Sequence, residues 1–260
     1  MSAATELPPA HRPGAEAWKH MVLNEARVVI RDTAGLVVPI GMPLLLMVMN
    51  GLGASGEPVP ELGGLSAMSA IMMPLTLVMI IALVSVVNMP SLLATYRKTR
   101  ILRRLAVTPA HPTMVLLAQM IVSLVQVVLG GGLAVLIAVL AFDVSAPRSL
   151  AAAIGIGALA LASLYAAGLL VAALSPTVNS ALAIGLVGFF AMMALGGGFG
   201  PMVDLPDVLS TIGVWLPYGA AVEALGDAWI GQSIEAAHLI AMGAWAVIGG
   251  GLAAKLFRWQ

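Results

Sequence analysis

Long uncharged stretches alternate with short charged ones along this chain, and the lengths of the uncharged stretches define its elements. They cover residues 33–56, 62–96, 105–142, 149–203 and 236–254. A helix needs about 20 apolar residues to cross the hydrocarbon of a bilayer. The stretch 149–203 is therefore two helices, turning at Ser175-Pro176-Thr177-Val178-Asn179. The pattern predicts six spans, at about 33–52, 66–90, 114–142, 149–174, 180–199 and 236–254. Unbroken apolar runs replace the in/out alternation of membrane strands, which excludes a closed β-barrel. The expected fold is an all-α polytopic membrane protein.

Three further segments are patterned without being long enough to span. Between Ala15 and Asp32, Trp18, Met21, Val22, Ala26 and Val29 share one helical face. Glu16, Lys19, His20, Asn24, Arg27 and Arg31 share the other, with Glu25 and Asp32 straying from the pattern. This predicts an interfacial helix with Trp18 at headgroup depth. Between Ser91 and Thr113, Leu92, Tyr96, Thr99, Leu102 and Leu105 form a stripe on a short helix, from which Arg97, Lys98, Arg100 and Arg104 project elsewhere. Thr108-Pro109-Ala110-His111-Pro112 ends that helix before the third span. After Gly196-Gly197-Gly198, two short apolar stretches (Leu205 to Ile212, and Ala221 to Trp229) flank Leu216-Pro217. They predict two short helices dipping into the membrane as a re-entrant hairpin, whose irregular backbone must be buried or line water. The domains are thus residues 1–32 with the interfacial helix, 33–254 as the transmembrane unit, and 255–260 as a tail.

Composition agrees and adds orientation. The chain is 60% hydrophobic and 9% charged, with a mean hydropathy of +1.03; soluble domains carry about 25% charged residues. A water-soluble enzyme and a nucleic-acid binder are both excluded. Of the 12 basic residues, 11 fall in the N-terminal segment (Arg12, Lys19, Arg27, Arg31), the second-to-third loop (Arg97, Lys98, Arg100, Arg103, Arg104) and the tail (Lys255, Arg258). With six spans these lie on one side, and Arg148 stands alone on the other among eight acids. The positive-inside rule makes both termini cytoplasmic. Pro8-Pro9 and two acids interrupt the first 17 residues, so no cleavable signal is expected and the first span is the insertion signal.

Candidate chemistry is defined largely by what is missing. Without cysteine there is no thiolate nucleophile or cysteine-ligated metal, and His11, His20, His111 and His238 lack metal-ligand spacing. No charged residue interrupts a span, which disfavours an ion-coupled secondary transporter and excludes a voltage sensor. No G-x-x-x-x-G-K-[ST], H-E-x-x-H or G-x-S-x-G occurs, so neither ATP hydrolysis nor intramembrane hydrolysis has a motif, and no catalytic, cofactor or metal residue is assigned. Gly130-Gly131-Gly132 and Gly249-Gly250-Gly251 lie inside spans, where close helix packing is their expected use.

The run from Tyr96 to Pro112, with Leu102-Arg103-Arg104-Leu105 followed by Thr108-Pro109-Ala110-His111-Pro112, resembles the signature loop of ABC-2 type transporter permeases. The outer run Gly198-Phe199-Gly200-Pro201, with Leu205-Pro206 and Leu216-Pro217-Tyr218, looks like that family's stretch before its last span. Length, six spans, the interfacial helix and both motifs occur in the family's order. The family's usual acid and glycine before Leu-Arg-Arg-Leu are absent, and Thr99 and Arg100 stand near those places. Within the family, the chain is similar to compact permeases of drug and antibiotic exporters, including the daunorubicin-resistance type. The resemblance implies the ABC-2 (type V exporter) permease fold in a bacterial inner membrane. It also implies a partnership with two ABC ATPase nucleotide-binding subunits, which hold the ATP and Mg, and with a second permease, identical or a sister chain. Leu92, Tyr96, Arg97, Arg100, Leu102, Arg103, Arg104, Leu105, Thr108 and Pro109 are then the expected ATPase-docking coupling helix. Gly198, Pro201, Pro206 and Pro217 mark the external hairpin. With no charge in the spans, many methionines and 13 aromatic residues in all, an apolar or amphipathic cargo is expected. A polysaccharide or glycolipid exporter, or a non-transporting immunity or regulatory subunit, is the alternative.

Overall fold

A computed structural model describes residues 14–54, 56–99, 112–200 and 202–256. Six helices in it are long and apolar enough to cross a membrane. The elements run α1 (Ala15–Arg31), α2 (Thr33–Gly53), a two-residue strand pair β1 (Pro58–Val59) and β2 (Leu65–Ser66), and α3 (Met68–Lys98). They continue with α4 (Pro112–Phe142), α5 (Leu150–Leu174), α6 (Val178–Leu195), α7 (Asp207–Trp215), α8 (Pro217–Ile230) and α9 (Ala236–Leu256). The β1–β2 ribbon, antiparallel with Pro58 opposite Ser66, is too short to carry a sequence pattern and leaves the all-α class unchanged.

Each apolar run folds as a helix because only internal pairing satisfies its backbone away from water. The turns are set by local chemistry. Asp32 accepts from the Gly35 N–H at 3.1 Å and starts α2 one residue after α1 ends. Thr177 and Ser180 cap α6 reciprocally, immediately after the Ser175-Pro176 turn. Gly197, at φ +84°, and Gly231, at φ +78°, close α6 and α8 in a left-handed conformation open to glycine.

The second span departs from the predicted boundary. It was expected to end at about residue 90, yet α3 continues through Pro90 without interruption to Lys98, so its last two turns take the place of the separate helix expected from residue 91. The cause is a widened π turn at Leu83–Asn88, where the Met89 N–H reaches back to the Val84 carbonyl. That extra residue per turn accommodates the proline ring directly ahead of it.

Burial separates α3 from the other spans. In its most apolar window 83% of residues are buried, against 44% for α5 and 22% for each of the remaining four. It packs on α2, α4, α5, α6 and α8, so it is the axle of the bundle. Contact with α5 and α6 is close because Gly168 and Gly185 lie against the π turn: a Cβ on Gly168 would overlap the Ser85 carbonyl oxygen, and one on Gly185 would stand 2.6 Å from that of Val86. At Gly249 and Gly250 of α9, where close packing was expected, a Cβ would stand at ordinary contact distance from Ala166 of α5 (3.6 and 3.9 Å), and at Gly251 it would meet nothing within 4 Å, so these glycines do not set that spacing.

The apolar face of α1 packs in part on protein. Val29 clusters with Leu92 of α3 and Val122 of α4, and Val22 and Ala26 pack against the same group. An apolar stripe at helical spacing implies that a face is buried, not against what.

Candidate functional site at the basic end of the bundle

The side of the bundle holding α1, the end of α3 and the α5–α6 turn also carries Lys19, Arg27, Arg31, Arg97, Lys98 and Lys255, every described basic residue except Arg148. Leu92 and Tyr96, expected on a docking stripe, are 6% and 5% exposed and face the interior of the same chain. Leu92 packs on Val29 and Val122, while Tyr96 joins Met89, Leu93, Val115, Tyr165 and Ala172. Their spacing carried the helical period correctly, but the stripe is the inner face of a continuing span. The remaining docking candidates, Arg100, Leu102, Arg103, Arg104, Leu105, Thr108 and Pro109, lie outside the described residues.

Three polar connections fasten this end of α3. The Tyr96 hydroxyl donates to Glu25 Oε2 of α1 at 2.5 Å. Glu25, the acid that strays onto the apolar face of α1, is 6% exposed and lies at the centre of that face. Burial raises its carboxyl above the ordinary range, and the Tyr96 hydrogen bond opposes the rise. On the other side of α3, Arg97 Nη2 donates to the carbonyls of Ala172 and, at 3.0 Å, Ser175, two of the open acceptors at the end of α5.

The third connection arises from a proline. In α2, the Gly35 carbonyl would bond to the N–H four residues on, but that residue is Pro39, which has none. Asn88 Nδ2 of α3 and Gln126 Nε2 of α4 each donate to the Gly35 oxygen at 2.9 Å. Both amides are buried, and a Cβ on Gly35 would meet Asn88 Oδ1 at 2.6 Å. The emphasis on charge missed these residues. Gln119, Ser123 and Gln126 recur at helical spacing in an otherwise apolar run, which is the signal that could have found them.

Beside Arg97 and Lys98 lies an open basin of about 770 Å³, bounded by Ser175, Thr177 and Asn179 of the α5–α6 turn and by Leu256 of α9. Among the described residues, no group of acids and histidines is placed to hold a metal ion.

At the opposite end, Gly198 donates its N–H to the Met193 carbonyl at 2.8 Å, Pro206 precedes α7, and Pro217 opens α8. Pro201 lies outside the described residues. The helices α7 and α8 meet at 84°, with α8 buried along Tyr218, Ala221, Leu225 and Trp229 and α7 largely exposed.

The family model of the ABC-2 type transporter matches residues 16–228, and the chain belongs to that family. It is therefore a transporter permease subunit, the transmembrane component rather than the ATPase, and the family works with a separate ABC ATPase subunit. A search of curated proteins finds no match.

Proposed function

We propose that this chain is the permease of an ATP-driven exporter that moves a hydrophobic or amphipathic small molecule, drug-like or lipid-like, out of the cytoplasm or inner leaflet. The observation that carries the coupling part of this reading is the fastening of α3. Arg97 and Lys98 are its last residues, and the basic segment beginning at Arg100 follows directly. A displacement of that segment by an ATPase would reach α1 through Tyr96–Glu25 and α5 through Arg97. In this reading Arg100, Leu102, Arg103, Arg104, Leu105, Thr108 and Pro109 meet the ATPase, while Leu92, Tyr96 and Arg97 transmit.

Two permeases and two ATPases form the working unit, with both termini cytoplasmic by the basic-residue split and α7–α8 as an external re-entrant hairpin. Support for an apolar cargo comes from spans without charge; of the neutral polar groups between them, Asn88 and Gln126 are engaged in holding the Gly35 carbonyl. The test is co-purification with the cognate ATPase, then ATP turnover of the reconstituted complex against apolar drugs, lipids and oligosaccharides. L102D/L105D is expected to abolish co-purification while leaving insertion intact, because an unpaired carboxylate in an apolar contact is costly. Stoichiometric ATPase on that variant would overturn the docking assignment, and stimulation by oligosaccharide alone would replace the cargo class.

A further inference from the structure

The third and fourth spans are consecutive, joined by only the short segment between Phe142 and Leu150; they meet toward the basic end, where Val115 of α4 clusters with Tyr165 and Ala172 of α5, and part toward the loop that joins them. Each leans on α3. The result is a crevice of about 510 Å³ between α4 and α5, with Met73, Leu77 and Ile81 of α3 as its floor. Its end toward the α4–α5 loop is closed by Trp229 of α8, whose indole N–H donates to the Ser145 carbonyl at 2.9 Å.

Three observations identify what fits. First, the crevice opens sideways between two membrane-spanning helices, and its lips, Val128 on α4 and Ile154 on α5, are more than 60% exposed. The medium at that depth is hydrocarbon, so the protein surface there meets acyl chains. Second, its lining is aliphatic from end to end apart from Ser145 and the Trp229 indole, and the indole N–H is already engaged. Small-molecule sites of about 300–1,000 Å³ combine apolar walls with several placed polar groups; this one has the volume without the polar groups, which suits an unfunctionalised chain better than a drug. Third, glycines shape the opening. A Cβ on Gly132 of α4 or on Gly157 of α5 would enter open space with nothing within 4 Å. Both positions lack a side chain where one would fill the crevice.

We propose that this crevice is a binding site for one acyl chain of a membrane phospholipid, from the leaflet on the Arg148 side. The chain completes the packing between α4 and α5 and is distinct from the cargo. The site requires only that the helices span, so it stands apart from the cargo and ATPase assignments above.

The full-length permease would be reconstituted in bilayers of phosphatidylethanolamine and phosphatidylglycerol doped with a phospholipid carrying a mid-chain diazirine, then irradiated and mapped by peptide mass spectrometry. Adducts are expected on residues 124–139 and 150–161 at no less than fivefold the yield at lipid-exposed Leu45, Val187 and Val247 of the other spans. Gly132→Phe with Gly157→Leu should bring that yield down to the control level. Each substitution replaces a helical glycine and enters open space, so folding is retained, as monodisperse gel filtration would verify; Gly157→Leu alone serves as the second variant and should lower the yield partially. Uniform labelling across all spans, labelling that survives filling, or displacement by an apolar drug but not by unlabelled phospholipid would each overturn the proposal.

Discussion

Removing the Tyr96 hydroxyl is the sharpest test of whether the basic end of the bundle is mechanically fastened. Tyr96→Phe deletes one oxygen and leaves the ring packed among Met89, Leu93, Val115 and Tyr165. The lost bond is short, at 2.5 Å, and both partners are almost fully buried, so solvent screening does not discount it. A hydrogen bond to a charged group contributes about 1.5–3 kcal/mol, or roughly ten- to hundredfold in the equilibrium between docked and released α1 at about 1.4 kcal/mol per tenfold. The carboxyl limits the loss by taking up a proton, which favours the lower end. Hydrogen exchange of residues 15–31 in nanodiscs at pH 8, corrected for intrinsic rates, should therefore fall about tenfold in protection. The pH dependence has a definite sign. Burial raises the Glu25 carboxyl above its usual 4.5, so docked α1 holds that proton more tightly than released α1. Docking is strongest below the usual value and weakens as pH rises through the raised one. Tyr96→Phe removes the influence that holds the carboxyl down, moving the weakening to higher pH. Glu25→Gln keeps an acceptor for the hydroxyl and has no proton to lose, so its protection should be pH-independent and no lower than that of the wild type at pH 8. Protection within twofold of wild type in Tyr96→Phe would refute the reasoning.

Gly168→Ala places a methyl within the Ser85 carbonyl, so α3 and α5 must separate; overpacking of about 1–3 kcal/mol or more should appear as a lower melting temperature in detergent and a reduced folded yield, and an unchanged melt would contradict the close approach. Asn88→Leu combined with Gln126→Leu leaves the Gly35 carbonyl without a partner, costing about 1–3 kcal/mol, and the double variant should lose more than the sum of the single ones because either amide alone still reaches that oxygen. Cysteines introduced at Glu57, His111 and Asp207 into this cysteine-free chain should react with an impermeant thiol reagent on intact cells at 57 and 207 only; labelling at 111 with none at 207 would reverse the orientation.

The spans were legible in the sequence because their signal is length, and length survives any packing arrangement. The Ser175-Pro176 turn and the glycines from 196 to 198 were legible because each breaks a helix by its own stereochemistry. The centrality of α3 was not. Its run is as uncharged as that between 105 and 142, and uncharged residues serve equally against lipid or against protein. Nor was its continuation past Pro90: a proline is a local stop signal, and the π turn that relieves it belongs to the tight contact with Gly168 and Gly185. The expected docking stripe split for the same reason. Leu92 and Tyr96 have the period of a buried face whichever partner buries them, and here the partner is the chain's own α1, α4 and α5.

The polar bonds of α3 are unevenly distributed, and that bears on how it can move. Between Asn88 and Arg97, ten residues or about 15 Å of helix, it bonds to Gly35 of α2, Glu25 of α1, and Ala172 and Ser175 of α5. Near its other end, among the described residues, Ser69 accepts from the Ser145 N–H at 3.1 Å. Between these ends the contacts with neighbouring spans are aliphatic and, around Gly168 and Gly185, backbone against backbone. Apolar contacts are non-directional and tolerate sliding, whereas a buried hydrogen bond must be remade or left unpaired. A displacement applied just beyond Lys98 therefore carries α1, α2, α5 and, through Gln126, the adjoining part of α4 with α3 as one block. Relative motion is left to the aliphatic middle and to the α4–α5 crevice, where α4 and α5 are already apart. Within the proposed mechanism, this places the stiff part of the permease next to the ATPase and the adaptable part within the bilayer.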